Sequence, residues 1–182
     1  PTFTLGSGAD AVTLTQVAST DVFVAKFAKD GTLQWARSAG SNSTDAISAV
    51  RVLSDGSIAV AGTYSTSITF SGTTLTGASG DSFIVRYLPD GTLAWAKGFG
   101  GTGTDSVTHL VQLTDGSLVT AGTYSTTPTI TLATGVTLSN IGSSFTDLFV
   151  IKYQLSDGTA LWARSLGSST TSQSKVTLRM PG

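Results

Sequence analysis

A seven-residue segment that occurs three times decides the fold of this chain. Residues 21–27 read DVFVAKF, residues 81–87 read DSFIVRY and residues 147–153 read DLFVIKY, at steps of 60 and 66 residues. Each copy is followed by an Asp-Gly pair and then by a tryptophan four residues after the glycine. A fixed internal period of this kind indicates a repeat architecture.

A second module alternates with the first. Residues 45–66 return as residues 105–126, and both copies contain an Asp-Gly pair and end in AGTYST. Variable stretches rich in Thr, Ser and Gly separate the modules at Ser67–Gly80 and Pro128–Thr146, and Pro1–Thr20 aligns with the second of them.

Each module is predicted to be a β-hairpin. The runs Val22–Phe27 and Leu33–Arg37 are rich in β-branched and aromatic residues, and the Asp-Gly pair between them suits the positive φ angles of a tight turn. The same pattern occurs in Ile47–Leu53 and Ser57–Tyr64 around Asp55-Gly56. Two hairpins therefore give four strands in each period.

The first strand of the repeat lacks the alternation of a half-exposed strand. Phe23 and Phe27 lie on one face and Val22 and Val24 on the other, which predicts burial on both faces. A four-stranded antiparallel sheet, buried on both faces and repeated about every 60 residues, is typical of a β-propeller blade stacked between two others.

The repeat predicts how the chain is divided. We expect a partial first blade over residues 1–44, full blades over residues 45–104 and 105–171, and the first strand of a further blade over residues 172–182. Closed propellers usually have at least four blades. We therefore expect an incomplete propeller or an open blade array, and the start without a Met indicates a processed chain or a fragment.

The repeated elements resemble those of the bacterial β-propeller repeat family often called SBBP. They are Asp-x-Phe-Val-x-Lys-Phe/Tyr, Asp-Gly, Leu-x-Trp-Ala-Arg/Lys and Ala-Gly-Thr-Tyr-Ser-Thr, and they span most of residues 21–166. The last unit departs from the pattern, because Ser172 stands near the position of Asp45 and Asp105. The resemblance implies a secreted or surface-displayed scaffold or adhesion role, with no catalytic motif to transfer.

Composition excludes several classes of function. Only 12% of residues are charged, the net charge is -1 and the basic residues are scattered, so nucleic acid is not expected as a partner. No apolar run approaches the roughly 18 to 20 residues of a membrane span, and no basic-then-apolar signal peptide opens the chain. The absence of Cys excludes disulfides and thiolate metal sites. Abundant Gly, Ser and Thr, scarce Lys and no Glu favour an extracellular bacterial surface repeat.

The acidic residues are predicted to have structural roles. Ten of the eleven recur with the repeat, as turn and strand-start residues must. They are Asp21, Asp30, Asp45, Asp55, Asp81, Asp90, Asp105, Asp115, Asp147 and Asp157. The alternative is Ca²⁺ bound in the loops that lead into Asp45 and Asp105, or a carboxylate pair for glycoside hydrolysis.

The other candidate residues also recur, with few exceptions. Six basic residues are expected to pair with neighbouring Asp or carbonyl groups, rather than to form a binding patch: Lys26, Arg37, Arg86, Lys97, Lys152 and Arg164. Trp35, Trp95 and Trp162 are expected to pack between blades, with sugar stacking as the alternative. His109 lies in a strand near the propeller axis, and the run Gly98–Gly103 lacks the following helix of a phosphate loop.

We therefore expect a non-catalytic extracellular β-propeller protein with no catalytic, cofactor or metal site. Its expected partners are other copies of itself, the rest of a longer chain, or a surface protein or glycan. Two alternatives stay open. The chain can be a filament subunit joined through open blade ends, or a secreted propeller-type carbohydrate-active enzyme using the non-repeating His109, Arg51 and Asp10.

The turn role of the Asp-Gly pairs predicts that Asp90→Asn costs little, less than about 0.5 kcal/mol, because Asn-Gly serves the same turn. Thermal unfolding with and without Ca²⁺ measures this. A large loss of stability that Ca²⁺ reverses would instead support the metal interpretation.

Overall fold

The computed structural model describes residues 2–8, 11–16, 20–125, 129–133, 135–141, 145–173 and 175–178. This part of the chain is all-β, and it contains no helix long and apolar enough to cross a bilayer. The strands are β1 (Thr2–Leu5), β2 (Val12–Thr15), β3 (Val22–Phe27), β4 (Leu33–Gly40), β5 (Ala46–Val52), β6 (Ile58–Phe70), β7 (Thr73–Tyr87), β8 (Leu93–Phe99), β9 (Asp105–Gln112), β10 (Leu118–Tyr124), β11 (Thr129–Ala133), β12 (Val136–Ser139), β13 (Asp147–Tyr153) and β14 (Ala160–Leu166).

The strands form blades of the predicted type. Strands β5, β6, β7 and β8 make one antiparallel blade in sequence order, and β9, β10, β13 and β14 make the next. Strands β3 and β4 form the corresponding second hairpin of a preceding unit. We call these the second blade, the third blade and the first unit.

The glycines of the Asp-Gly turns have the expected positive φ, whereas the aspartates before them do not. Gly91 has φ 80° and Gly158 has φ 71°, a region that glycine enters without steric cost. In the second blade the Gly91 N–H closes the turn on the Leu88 carbonyl at 2.9 Å. The Asp90 carboxylate accepts the Thr92 N–H at 2.9 Å, so the aspartate also fixes the turn.

The variable stretches between the modules form hairpins, which the sequence analysis did not predict. Strands β6 and β7 continue beyond the blade to pair residues 67–70 with residues 73–76, whereas β1–β2 and β11–β12 are separate two-stranded sheets. We call these three elements the linking hairpins. They form because each strand alternates hydroxyl and apolar residues over only about four positions, a signal too short to recognise in a variable region.

The first copy of the repeated strand is not buried on both faces, contrary to the prediction. Phe83 and Phe149 are fully buried, whereas Phe23 is 47% exposed and Phe27 is 51% exposed. The Phe149 ring of β13 packs against Phe99 of the preceding blade at 5.4 Å. The described residues include no preceding blade for β3, which also lies at the edge of its sheet.

The end of the described chain carries no regular strand. Residues 172, 173 and 175–178 lie outside the strands, although a further strand was expected over residues 172–182. The Gln173 N–H nevertheless bonds to the Thr146 carbonyl at 2.6 Å, as the Asp45 N–H bonds to Thr20 at 3.0 Å. Gln173 therefore makes the contact that Asp45 makes just before β5. Strand β5 pairs with β6, whereas the described residues after Gln173 pair with no strand.

Tryptophan side chains join successive blades, as predicted for Trp35 and Trp95. The Trp35 Nε1–H donates to the Pro89 carbonyl at 2.9 Å, and the Trp95 Nε1–H donates to the Leu155 carbonyl at 2.9 Å. These indoles are 4% and 7% exposed. Each lies against the glycine of the next unit's Asp-Gly turn, where an added Cβ would come within 2.7 Å of Trp35 at Gly91 and 2.6 Å of Trp95 at Gly158.

Trp95→Ala is expected to lower the free energy of unfolding by about 3 to 5 kcal/mol, because it removes a buried indole and its hydrogen bond to the Leu155 carbonyl. Urea denaturation of this variant, with Trp162→Ala as a control at the 36% exposed position, measures the effect. Equal losses in the two variants would contradict the packing role.

Candidate functional site

The charged residues of the repeat are engaged in contacts that hold the blades. Arg86 pairs with Asp55 at 2.5 Å and Lys152 pairs with Asp115 at 2.7 Å. Each pair joins the first hairpin of a blade to its second hairpin. In the first unit, Lys26 instead donates to the Pro89 carbonyl of the next blade at 3.1 Å.

The outer basic positions act on the turn of the following blade. Hydrogen bonds from Thr92 are the main cause that lowers the pKa of Asp90, and the charge of Arg37 adds to them. Hydrogen bonds from Thr159 lower the pKa of Asp157, and Lys97 contributes in the same direction. A basic residue on one blade therefore faces the Asp-Gly turn of the next.

The aspartates at the strand starts hold loops through backbone N–H groups. Asp81 accepts the Ala78 N–H at 3.1 Å and Asp105 accepts the Gly101 N–H at 3.0 Å. Asp147 accepts the Ile141 N–H at 2.6 Å. These contacts are the capping roles expected from the sequence. In the described ranges, no group of three or more His, Cys, Asp or Glu residues could hold a metal ion.

The Gly-rich run serves the same aspartates. A Cβ added at Gly100 would collide with the Asp81 carboxylate and would lie 2.9 Å from Asp105 Oδ2. Gly103 would meet the Ser125 backbone carbonyl at 2.6 Å. These glycines allow the loop to approach buried carboxylates, and the run leads into strand β9 rather than a helix.

The two non-repeating candidates that the structure describes, His109 and Arg51, make only local contacts. His109 Nδ1 lies 2.9 Å from the Thr108 hydroxyl, and Arg51 donates to the Val50 carbonyl at 3.2 Å. Asp10, the third candidate, lies outside the described residues.

An open cleft lies between the second blade and strand β11, and its lining contains a single carboxylate. Its volume is about 460 Å³, and its lining includes Tyr64, Asp81 and the Gly98–Thr102 loop. Glycoside hydrolysis ordinarily needs two carboxylates across the scissile bond. The lining of this cleft does not supply that pair.

The linking hairpins present a regular surface that the sequence analysis missed. Cross-strand pairs of hydroxyl residues occupy the same two positions in all three: Thr2 with Thr15 and Thr4 with Thr13, Ser67 with Thr76 and Thr69 with Thr74, Thr129 with Ser139 and Thr131 with Thr137. The pair between them is apolar each time, and in each hairpin it includes a buried side chain, Leu14, Ile68 or Leu138. The repeated Thr-x-Thr pattern was the signal in the sequence.

Eleven of these twelve hydroxyl residues are exposed, and Ser67 is half-buried. The Oγ1 atoms of Thr4 and Thr13 are 3.1 Å apart, and those of Thr69 and Thr74 are 2.9 Å apart. In the third blade, Tyr124 fixes the hairpin by donating to the Ser139 carbonyl at 2.8 Å. The surface is therefore held by the blade beneath it.

Asp45 is a buried carboxylate with a perturbed pKa. Burial, reinforced by the charge of Asp21, raises its pKa to about 6. Burial also raises the pKa of Asp81. Because the folded state then binds these protons more tightly than the unfolded state, stability increases as the pH falls from about 7 towards 5.

Asp45→Asn is expected to remove most of this pH dependence. Between the folded and unfolded pKa values of Asp45, this residue contributes up to about 3 kcal/mol to the change in the free energy of unfolding. Urea denaturation at several pH values measures the change. Asp90→Asn is the matched control. The pKa of Asp90 is lowered, so this carboxylate stays ionised between pH 5 and 7. An unchanged slope in Asp45→Asn would contradict the assignment.

A match to a known family agrees with this architecture. A family model described as a domain of unknown function (DUF5122) beta-propeller matches residues 53–93. None of the curated proteins compared with the chain matches it. The matched residues run from the Asp55-Gly56 turn through β6 and β7 to the Asp90-Gly91 turn. The repeats of this chain are β-propeller blades.

Proposed function

We propose that this chain is a non-catalytic structural and interaction module of a secreted or surface-displayed bacterial protein, of the SBBP type. In this proposal its blades form a rigid support, and the linking hairpins present their hydroxyl faces to a surface glycan or protein. The observation that carries the proposal is the recurrence of the same exposed hydroxyl pairs on all three hairpins.

The chemistry of the hairpins suits a polyhydroxylated ligand. A threonine hydroxyl both donates and accepts hydrogen bonds, and each hairpin offers four hydroxyl groups on one face. The buried opposite face limits the conformational entropy that would be lost on binding. Threonine is also favoured in exposed strands by its β-propensity, so a binding measurement must separate the two roles.

A non-catalytic role is supported by the structural contacts that the acidic and basic side chains make. The ion pairs Arg86–Asp55 and Lys152–Asp115 lie within blades, and the strand-start aspartates hold loops. An extracellular location is supported by the composition, which is rich in Gly, Ser and Thr, is poor in Lys and lacks Glu.

The test replaces the exposed hydroxyl groups without changing side-chain shape. A variant with Thr→Val at positions 4, 13, 69, 74, 131 and 137 should lose at least about tenfold in affinity, or about 1.4 kcal/mol, for a polysaccharide that the parent chain binds. Sedimentation with cellulose, chitin and purified peptidoglycan measures binding. Thermal unfolding should change little, because valine has equal β-propensity.

Thr114→Val is the matched control, because this exposed threonine lies in the turn after β9, away from the linking hairpins. Binding of the sixfold variant at the parental level would refute the hairpin surface. A parent chain that binds none of the three polysaccharides would refute glycan presentation.

A further inference from the structure

The outer strand of the third blade exposes side chains that are buried in the second blade. Trp162 and Leu166 of β14 are 36% and 52% exposed, whereas the corresponding Trp95 and Phe99 of β8 are 7% and 6% exposed. Strand β14 is the edge of its sheet. Trp95 and Phe99 are covered by the next blade, and the described residues supply no such cover for β14.

The first unit exposes the complementary surface. A Cβ added at Gly31 would meet nothing within 4 Å, although the equivalent Gly91 and Gly158 are covered by tryptophan rings. Phe27, next to this turn, and Phe23, at the other end of β3, are also exposed. Gly31 has φ 87°, close to the 80° of Gly91, so its turn has the geometry that accepts an indole in the second blade.

Two contacts between successive units, Trp35 with Gly91 and Trp95 with Gly158, show how these surfaces fit, and we call them the internal joints. Trp35 contacts Gly91, donates to the Pro89 carbonyl and has its ring centroid 5.8 Å from that of Tyr87. At the equivalent positions of the first unit stand Gly31, the Lys29 carbonyl and Phe27. Trp162 therefore finds each of its expected partners there.

Two further contacts of the internal joints have exposed counterparts. The Phe99 ring packs edge-on against Phe149 at 5.4 Å, and the equivalent positions hold Leu166 and Phe23. Arg37 lies over the Trp35 ring at 5.9 Å and acts on the Asp90 charge of the next turn. Arg164 lies over Trp162 at the same 5.9 Å, and the free turn carries Asp30.

We propose that this is an interface between copies of the chain, in which Trp162 of one copy docks against Gly31 and the Lys29 carbonyl of a second copy. The two faces differ, so the contact is heterologous and runs head to tail. This inference goes beyond the hydroxyl surface of the proposed function and rests only on the stacking of blades.

The experiment uses analytical ultracentrifugation of the 182-residue chain. The parent chain should show a mass that increases with concentration. Trp162→Ala removes the indole from one face, and Gly31→Asn places a Cβ on the other, where it would collide with the ring as at Gly91. Each variant alone should remain monomeric.

An equimolar mixture of the two variants gives the sharpest result. Trp162→Ala keeps an intact Gly31 face, and Gly31→Asn keeps an intact Trp162, so the mixture should form a dimer and no larger species. A monomeric parent chain at high micromolar concentration would overturn the proposal. A mixture that stays monomeric, while the parent associates, would also overturn it.

Two controls separate docking from loss of folding. Gly116→Asn introduces the same residue at φ 84° with nothing within 4 Å, on a turn outside the proposed joint. Leu161→Ala truncates an exposed apolar side chain next to Trp162, at a position that is also exposed in β4 and β8, as Gln34 and Ala94. Both should associate like the parent chain. Loss of polysaccharide binding without loss of association would affect the proposed function alone.

Discussion

The contact between an indole and a bare glycine turn is the constraint on which the blade array depends. At Gly91 and Gly158 any Cβ would collide with the tryptophan of the preceding unit. The indole N–H must also find an acceptor when it is buried, and a carbonyl in the same turn supplies it at 2.9 Å in both joints. One turn therefore supplies both the van der Waals contact and the hydrogen bond that fix each blade on its neighbour.

The Asp-Gly turn consequently serves two purposes at once. Within its own blade, Gly91 adopts a positive φ that closes the hairpin, and Asp90 accepts a backbone N–H of the same turn. Towards the preceding unit, the glycine leaves room for Trp35 and the aspartate faces the positive charge of Arg37. The requirement for glycine thus comes from backbone conformation and from packing. This explains why the pair recurs with the tryptophan at constant spacing.

The repeated modules could be predicted from sequence because their signals are local. The Asp-Gly turns, the strands beside them and the packing of Trp35 and Trp95 all follow from residues close together in the chain. The linking hairpins were missed because their strands are short and differ between copies. The raised pKa of Asp45 could not be predicted, because it depends on burial and on Asp21, a residue of the preceding unit. The SBBP-type assignment and the extracellular role remain predictions.

In such an array, whether a side chain is buried depends on the neighbouring unit as well as on its own sequence position. Trp35, Trp95 and Trp162 occur in nearly the same local sequence, yet the first two are buried and the third is over one-third exposed. The difference follows from whether an Asp-Gly turn covers the ring. In a repeat protein the free energy of each interface adds to the intrinsic stability of the units. Substitutions at equivalent positions therefore have unequal effects. An exposed indole can still pack on a glycine turn and donate its N–H to a carbonyl, as Trp35 and Trp95 do. The same reasoning applies to Gly31, whose open surface is meaningful only because Gly91 and Gly158 show what such a turn accepts.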